Sequence, residues 1–352
     1  MSTAAILLIE SRPLAPPVAD GSGVSETSET THGVPLPCVE VLGASALQRT
    51  MQRFADAGIN SFTILADASL LRANKLLANV QPGWLVKINS FHGQSESWPA
   101  TEACIENVFS NQIKSVFLVR LGAYAEFHAE EILQFSDANS SASVRIHDRL
   151  GSIGAWLLKP DQTTKGDMEF QGKGIETSFK TYFLDGYVNR LSNMRDLRRF
   201  VLDMFLSRCT ARPHGEEVRP GVWIDEGAEV HKQARVVPPA YIGKNTKLAP
   251  TSLVTRSSSV ERDCNVEYGT VIEDSSILAE TYIGTGLDVI HSVVQGNTLV
   301  HLHQNTAMEI NDEILIGANV SSRLRKIFSR ENKLVTTSSE KQEPRTQWKG
   351  ML

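Results

Sequence analysis

The most regular pattern of apolar and polar positions lies in the C-terminal part of the chain. Every sixth residue from Ile224 to Leu278 is aliphatic, and the fourth residue after each is small in nine cases of ten. A period of six is neither the 3.6-residue repeat of a helix nor the two-residue alternation of a strand. It predicts a three-sided parallel β-helix, in which aliphatic side chains fill the interior and three hexads make one coil.

The hexad pattern slips by one residue near its end. Ile283 follows Leu278 after five positions, and Val289 then restores the six-residue step. We interpret the slip as a bulge or a shortened corner after Leu278. Residues 222–318 resemble the left-handed parallel β-helix of the hexapeptide-repeat proteins, an architecture that does not by itself assign a function.

Earlier in the chain, short apolar segments alternate with amphipathic ones. Strands are predicted at 4–9, 62–66, 85–88, 116–121, 143–147 and 153–158, and helices at 44–58, 101–112 and 128–138. This alternation predicts an α/β domain with a mostly parallel sheet, whose ligands bind beyond the carboxyl ends of the strands. The segments 10–37, 67–69 and 122–126 follow predicted strands and are the places where we expect a site.

These patterns divide the chain into four predicted parts. Residues 1–210 form the α/β domain, in which 11–37 is a loop rich in Pro, Ser and Thr. A linker, ARPHGEEVRPG, occupies 211–221 and leads into the β-helix at 222–318. The remaining residues, 319–352, form a polar and basic tail with eight Lys and Arg against three Glu, which we expect to be disordered.

Composition narrows the class of protein. The chain has 352 residues, 41% of them hydrophobic, and a formal net charge of −5, which is typical of a globular protein and gives no electrostatic footprint for nucleic acid. The early run AAILLI is too short to span a bilayer. The four cysteines are far apart and fit free thiols in a reducing compartment. We therefore expect a cytoplasmic protein without membrane insertion or a nucleic-acid partner.

Some hexapeptide-repeat proteins are acyltransferases that use a histidine as general base between coils of neighbouring subunits. The candidates here are His231, His291, His301 and His303. None has a clear base-and-orienter context, and a histidine beside a solenoid is more often a surface or structural residue. A strand at 301–303 would point two imidazoles the same way, but no further Cys or carboxylate stands at metal-ligand spacing. We expect neither a catalytic histidine nor a metal site here.

The order of segments over most of residues 4–317 resembles the sugar-1-phosphate nucleotidyltransferases, in particular the branch that makes nucleotide sugars such as GDP-mannose and carries a left-handed β-helix. After the apolar first strand, the resemblance is carried by VLGASALQRTMQRFADAGI (41–59), FTILAD (62–67), FLVRLGAYAEFHAEEILQF (117–135), GYVNRLSNMRDLRRFVLDMF (186–205) and the hexads. The resemblance implies a Rossmann-like α/β nucleotidyltransferase domain followed by a left-handed β-helix.

Two phosphate-binding features of that family are missing from this sequence. The family has a glycine-rich turn, G-G-x-G-T-R-L, after the first strand, where this chain reads IESRPLAPP and keeps Arg12 without a glycine. Pro13 has no N–H to offer a phosphate and fixes φ. The family's lysine before the VLG turn aligns with Leu36.

The two metal-binding aspartates implied by the resemblance are also missing. One aligns with Ala123, after a retained Gly122, and the other with Arg190. Glu126 is the one nearby carboxylate that is a candidate substitute for the first. A cation such as Arg190 repels Mg²⁺ but can pair with a phosphate or with a neighbouring acid.

We therefore expect a non-catalytic nucleotidyltransferase homologue that acts as a scaffold, sensor or regulatory subunit in sugar-nucleotide or polysaccharide biosynthesis. A nucleotide or nucleotide sugar is the expected small-molecule partner, and a homo-oligomer the expected assembly. No cofactor is expected. The alternative is an active sugar-1-phosphate nucleotidyltransferase, which requires Mg²⁺. A hexapeptide-repeat acyltransferase is the more distant alternative.

Overall fold

A computed structural model of the protein describes residues 3–10, 30–31, 34–72, 83–140, 142–160 and 179–319. Most of the predicted loop at 11–37, including Arg12, lies outside the described residues. The predicted tail also lies outside them, except for its first residue, Asn319.

The N-terminal region alternates strands and helices. Its strands are β1 (Thr3–Ile9), β2 (Thr30–Thr31), β3 (Val34–Pro35), β4 (Glu40–Val41), β5 (Ala44–Ser45), β6 (Ser61–Asp67), β7 (Leu85–Phe91), β8 (Ser115–Arg120), β9 (Tyr124–Ala125), β10 (Val144–Asp148), β11 (Gly151–Leu158), β12 (Lys180–Phe183) and β13 (Val188–Asn189). Its helices are α1 (Ala46–Asp56), α2 (Ala68–Arg72), α3 (Gln94–Ser110), α4 (Ala129–Ala138) and α5 (Met194–Phe205), and a 3-10 helix covers Leu36–Cys38.

The main sheet of this region has seven strands in the order β12-β10-β11-β8-β1-β6-β7. β1 pairs in parallel with β6 and β8, and β6 pairs in parallel with β7. The turn at 149–150 folds β11 back on β10, so β11 runs antiparallel to both of its neighbours. The predicted mixed α/β domain with a mostly parallel sheet is confirmed.

Helices cover both faces of the sheet, as the alternation of side chains along β1 requires. Leu7 and Ile9 pack into a core with side chains of α1 and α4. Ile6 and Leu8 point the other way, into a core that includes Ile105 of α3. The carboxyl ends of β1, β6 and β8 therefore meet at one edge between two helical layers.

The C-terminal region is built almost entirely of short strands. They are β14 (Glu216–Arg219), β15 (Val222–Ile224), β16 (Glu229–Val230), β17 (Arg235–Val236), β18 (Ala240–Ile242), β19 (Lys247–Leu248), β20 (Leu253–Thr255), β21 (Ser258–Val260), β22 (Asn265–Val266), β23 (Val271–Glu273), β24 (Ser276–Ile277), β25 (Thr281–Ile283), β26 (Asp288–Ile290), β27 (Ser292–Gln295), β28 (Thr298–His301), β29 (Thr306–Glu309) and β30 (Ile316–Ala318). β14 lies within the predicted linker and pairs with β15 in antiparallel fashion.

Three parallel stacks of strands run through this region: β15-β18-β21-β24-β27, β16-β19-β22-β25 and β17-β20-β23-β26. In the early coils, Val222 pairs with Ala240 and Ala240 with Ser258, so each coil advances by three hexads. These stacks are compatible with the predicted three-sided β-helix, and its left hand stays a prediction. Parallel pairing ends at β27, because β28, β29 and β30 pair in antiparallel fashion.

The predicted position of the register slip is wrong by one hexad. Val260 pairs with Ile277, so it is Ile277 that fills the interior of the coil. Leu278 is buried on the outside of the coil, against the N-terminal region. The shortened corner therefore lies before Leu278, at Asp274. Two adjacent aliphatic residues satisfied the hexad pattern equally well, and only the pairing of coils distinguishes them.

A second core joins the two regions. We call it the junction core; its buried members include Leu36, Leu42, Leu197, Phe200, Val201, Tyr241, Leu278 and Val293. Gly43 borders it with φ +85°, and a Cβ there would come within 2.5 Å of the Cβ of His214, so a glycine is required. The junction core shows that α5 packs directly on the strand stacks.

Among the helices that the structure describes, none combines the length and the apolar character needed to cross a bilayer.

Candidate functional site

The first candidate site lies where the sheet changes its winding direction. From β1 the chain continues to β6 on one side and later to β8 on the other, and α/β sheets bind ligands at the carboxyl ends beside such a point. We call this place the strand-end crevice and define it by Glu10 after β1, Asp67 at the end of β6 and Arg120 at the end of β8. It corresponds to the edge that the sequence predicted.

An internal ion pair occupies the strand-end crevice. The guanidinium of Arg120 donates to the carboxylate of Glu10, and the two side chains are only 14% and 9% exposed. The hydroxyl of Ser97, on α3, donates to the other oxygen of Glu10 at 2.5 Å. Burial lowers the pKa of Arg120 and the charge of Glu10 raises it, but a guanidinium stays protonated at neutral pH. The cation at the end of β8 is thus already neutralised by the chain itself.

The carboxylate of Asp67 is also engaged by its surroundings. It accepts hydrogen bonds from the Ser69 amide and hydroxyl at 2.9 and 2.7 Å and from the Gly93 amide at 3.2 Å. Burial pushes the pKa of Asp67 up, but these hydrogen bonds outweigh it, so the pKa lies below its ordinary value. Asp67 is ionised and organises the turn from β6 into α2.

Of the sequence-predicted site residues that the structure describes, two lie at the same end of one strand pair, because Tyr124 of β9 pairs with Asn189 of β13 and so places Ala123 and Arg190 at that end. Leu36, aligned with the family's lysine, is 1% exposed and packs in the junction core. Gly122 and Ala123 lie in the turn after β8, where the Gly122 amide donates to the Arg120 carbonyl at 2.9 Å. Arg12 lies outside the described residues.

Arg190 pairs with a neighbouring acid. Its guanidinium donates to Asp148 Oδ1 at 2.5 Å and to the Ser152 carbonyl at 3.0 Å. Both partners belong to the β10–β11 hairpin, so Arg190 ties the segment before α5 to the sheet. The sequence allowed either a phosphate or a neighbouring acid as the partner of Arg190. The structure shows the acid, Asp148.

Glu126 serves as an anchor for the chain that leaves α5. Its carboxylate accepts from the Thr210 amide at 2.7 Å, the Thr210 hydroxyl at 2.6 Å and the Ala211 amide at 3.1 Å. The side chain is buried. With its oxygens turned toward the start of the predicted linker, Glu126 does not replace a metal-binding aspartate.

A groove of about 510 Å³ lies on the flank of the sheet, away from the strand ends. It runs between α3 and the middle of β6 and β7, and Lys87, Asn89 and Asn107 provide its polar lining. The Asn89 amide nitrogen contacts the thiol sulfur of Cys104 at 3.1 Å. No sequence signal pointed to this groove.

A cluster of three potential metal ligands lies on the strand stacks, at the corner next to α5. Asp274, His291 and His303 each place one ligand atom within 4.8 Å of the others, and within the described parts of the chain this is the one such group of His, Cys, Asp and Glu. The expectation that no carboxylate accompanies the histidines was wrong, because Asp274 contacts His291 across neighbouring coils. The strand expected at 301–303 ends at His301, and His303 stacks on His291.

Comparison with known proteins identifies no family and gives a weak structural likeness. No protein-family model matches the chain, and no curated protein matches it either. Among solved structures, the chain is similar to HddC from Yersinia pseudotuberculosis complexed with GMP-PN, at 14% identity and a TM-score of 0.40. That match covers 56% of this chain and 97% of the other.

Proposed function

We propose that this chain is a non-catalytic homologue of the sugar-1-phosphate nucleotidyltransferases. In this proposal it acts as a scaffold, sensor or regulatory subunit of sugar-nucleotide or polysaccharide biosynthesis and assembles as a homo-oligomer. The observation that carries the proposal is the ion pair between Glu10 and Arg120 in the strand-end crevice.

Nucleotidyl transfer needs a concentration of positive charge around the reacting phosphate. Backbone amides, a Lys or Arg and Mg²⁺ provide it in such reactions. Here a carboxylate stands at the end of the first strand and neutralises the arginine at the end of β8. A triphosphate entering the crevice would have to displace Glu10 from Arg120 against the burial of both groups. This energetic cost favours a chain that does not catalyse nucleotidyl transfer.

The other aligned positions support the same conclusion. Leu36 contributes to the junction core where the family would have a lysine. Arg190 is held by Asp148, and Glu126 by Thr210 and Ala211. Each of these side chains has a structural task within the chain.

The alternative is an active enzyme with altered ligands, and turnover separates the two. The full chain is incubated with Mg²⁺, nucleoside triphosphates and sugar 1-phosphates, and pyrophosphate release is followed. We expect no release above the rate without protein. A rise in melting temperature with a nucleotide sugar, without turnover, supports a sensor, whereas no shift supports a scaffold. Turnover at an ordinary enzymatic rate rejects the non-catalytic proposal.

One observation favours the acyltransferase alternative. His291 Nδ1 lies 2.5 Å from Asp274 Oδ2, which is the relation of a general base to the group that orients it. The other oxygen of this carboxylate, Asp274 Oδ1, accepts a hydrogen bond from Arg198 at 2.8 Å, however. Asp274 is therefore shared between His291 and Arg198. Protection of the chain by an acyl-CoA in a thermal-shift assay would favour this activity.

A further inference from the structure

The corner that carries Asp274 and His291 differs from the earlier corners of the same stack. Between Val254 and Val260 the chain turns with two residues of positive φ, Arg256 at 51° and Ser257 at 59°. One coil later the corresponding turn has a single such residue, Asp274 at 44°, and in the next coil again a single one, His291 at 50°. The two shortened corners therefore stack on each other, 17 residues apart along the chain.

The antiparallel strand β28 adds the third side chain. Ser292 pairs with His301, and the Leu302 amide donates to the His291 carbonyl at 2.8 Å. The turn that follows β28 places the ring of His303 on that of His291, with centroids 4.0 Å apart and planes inclined by 27°. Two imidazoles and one carboxylate from three separate turns thus lie together at one corner.

The separations between the three potential ligand atoms are comparable with those around a bound ion. Zinc takes nitrogen and oxygen ligands at about 2.0–2.2 Å, so two ligand atoms in a tetrahedral site lie about 3.4 Å apart. His291 Nδ1 and Asp274 Oδ2 are now 2.5 Å apart, and the three ligand atoms lie within 4.8 Å of one another. Because the lone pair of an imidazole nitrogen lies in the plane of the ring, one of the two stacked rings has to rotate for both histidines to bind the same ion. The side chains of His291 and Asp274 are 29% and 33% exposed, which leaves the site accessible to an ion.

A buried cation orients the carboxylate. Arg198 of α5 donates to Asp274 Oδ1 at 2.8 Å and to the Ser257 carbonyl at 2.8 Å, and its side chain is 4% exposed. This contact fixes one carboxylate oxygen and leaves Oδ2 directed at the histidines, as outer partners of metal ligands commonly do. The same cation offsets the charge of Asp274, so we expect weaker binding than at a site whose carboxylate has no such partner.

We propose that Asp274, His291 and His303 form a binding site for a divalent transition-metal ion of the zinc class, with a fourth position open to water. Imidazole nitrogens select such ions over Mg²⁺ and Ca²⁺, which prefer oxygen ligands. The site is separate from the strand-end crevice and does not depend on whether the chain has nucleotidyltransferase activity. It would hold three turns of the chain together beside α5.

The test uses the full chain without a histidine tag, stripped with a chelator and dialysed against ZnCl₂. We expect one equivalent of zinc per chain, and we expect His303→Ala, a change at an exposed turn, to weaken binding at least about 10-fold. His231→Ala is the matched control, since His231 lies on the strand stacks outside the cluster and should leave zinc affinity unchanged. Zinc binding that persists in His303→Ala, or that is lost equally in His231→Ala, overturns the proposal.

Cobalt substitution provides a second readout that does not depend on the variants. Co²⁺ in a four-coordinate site with two imidazoles absorbs strongly in the visible range, whereas hexahydrated Co²⁺ absorbs weakly. We expect the intense bands in the wild-type chain and their displacement by one equivalent of Zn²⁺. A spectrum identical to that of free Co²⁺ contradicts the site.

Discussion

At the residue scale, the decisive feature is the carboxylate of Glu10 at the end of β1. In an α/β sheet this is the place where the backbone approaches a phosphate, and a negative charge there opposes phosphate binding. Arg120 and Ser97 both contact the carboxylate, so it is fixed in place. This ion pair could not be predicted from the sequence, because the partner of Glu10 lies 110 positions away.

Replacing Glu10 by Gln removes the charge and keeps an oxygen for the Ser97 hydroxyl. Arg120 then loses the negative charge that opposes phosphate binding, and a guanidinium binds phosphate in bidentate fashion. We expect Glu10→Gln to bind a nucleoside triphosphate at least about 10-fold more tightly than the wild-type chain, by isothermal titration calorimetry. Glu229→Gln, at a surface ion pair with Lys247, makes the same charge change elsewhere. An equal gain in that control would show that net charge alone is responsible.

Glu261 is the second residue whose surroundings make a measurable prediction. Burial raises the pKa of its carboxyl to about 8, although two backbone N–H groups donate to it. Glu40, Arg49 and Tyr241 are the ionisable side chains that act on it at the junction. The folded chain therefore holds a proton that the unfolded chain releases near the ordinary value of 4.5.

The free energy of unfolding should consequently fall as the pH rises from about 4.5 to about 8. A proton held only by the folded state changes that free energy by up to about 1.4 kcal/mol per pH unit. Glu261→Gln does not titrate, so we expect its stability to decline less over this range. Urea unfolding at pH 5, 6, 7 and 8 measures both slopes, and parallel slopes would contradict the raised pKa.

At the scale of elements, local patterns predicted the structure well where the cause is local. The predicted helix at 44–58 is α1, whose first residues are fixed by Ser45 and Gln48 in a capping box. The helix expected at 101–112 begins at Gln94 instead, and Pro99 lies inside it without ending it. Strands β6, β7 and β8 lie where apolar runs placed them.

Non-local features were the ones that the sequence could not specify. The pairing of β11 with β8 joins segments that are far apart in the chain. The choice between Ile277 and Leu278 depends on pairing between coils. Asp274 and His291 are 17 positions apart, so a strict 18-residue coil does not align them. The sequence sign of this alignment is a pair of five-residue steps between aliphatic positions, at 272–277 and 289–294. Leu36 was assigned to a pocket by alignment, but packing against α5 decides its place.

The capping box of α1 gives a prediction at this scale. The Ser45 hydroxyl accepts from the Gln48 amide at 3.2 Å, and the Gln48 side-chain oxygen accepts from the Ser45 amide at 2.8 Å. We expect Ser45→Ala to lower the free energy of unfolding by about 1 kcal/mol in urea titrations. Gln52→Ala, in the middle of the same helix, should change it by less than about 0.5 kcal/mol. Equal effects would contradict the role of the cap.

At the scale of the whole molecule, α5 connects the sheet domain to the strand stacks. Leu197 and Phe200 bury its apolar face in the junction core, and Arg198 reaches across to Asp274, Ser257 and Ser276. The junction therefore combines apolar burial with a charged contact in which the arginine is buried and the carboxylate is partly exposed. The two regions are packed against each other at this junction.

Removing the Arg198 side chain should weaken that junction strongly. Arg198→Ala removes the donor to Asp274 Oδ1 and to the Ser257 carbonyl, and losing hydrogen bonds from a charged group costs about 2 kcal/mol. Arg195→Ala is the matched control, because Arg195 donates to the Leu302 carbonyl from an exposed position on the same helix. We expect less than about 1 kcal/mol for the control in thermal or urea unfolding. Equal losses in the free energy of unfolding for the two variants would contradict the role of Arg198 at the junction.

In the strand-end crevice, Glu10 and Arg120 neutralise each other. An enzyme would use such charges to bind phosphate and magnesium. Pyrophosphate release by the wild-type chain, with nucleoside triphosphate and sugar 1-phosphate in the presence of Mg²⁺ or of a chelator, tests the non-catalytic proposal most directly. We expect progress curves that coincide with the protein-free blank in both conditions. Release that requires Mg²⁺ and proceeds through many turnovers would contradict the proposal.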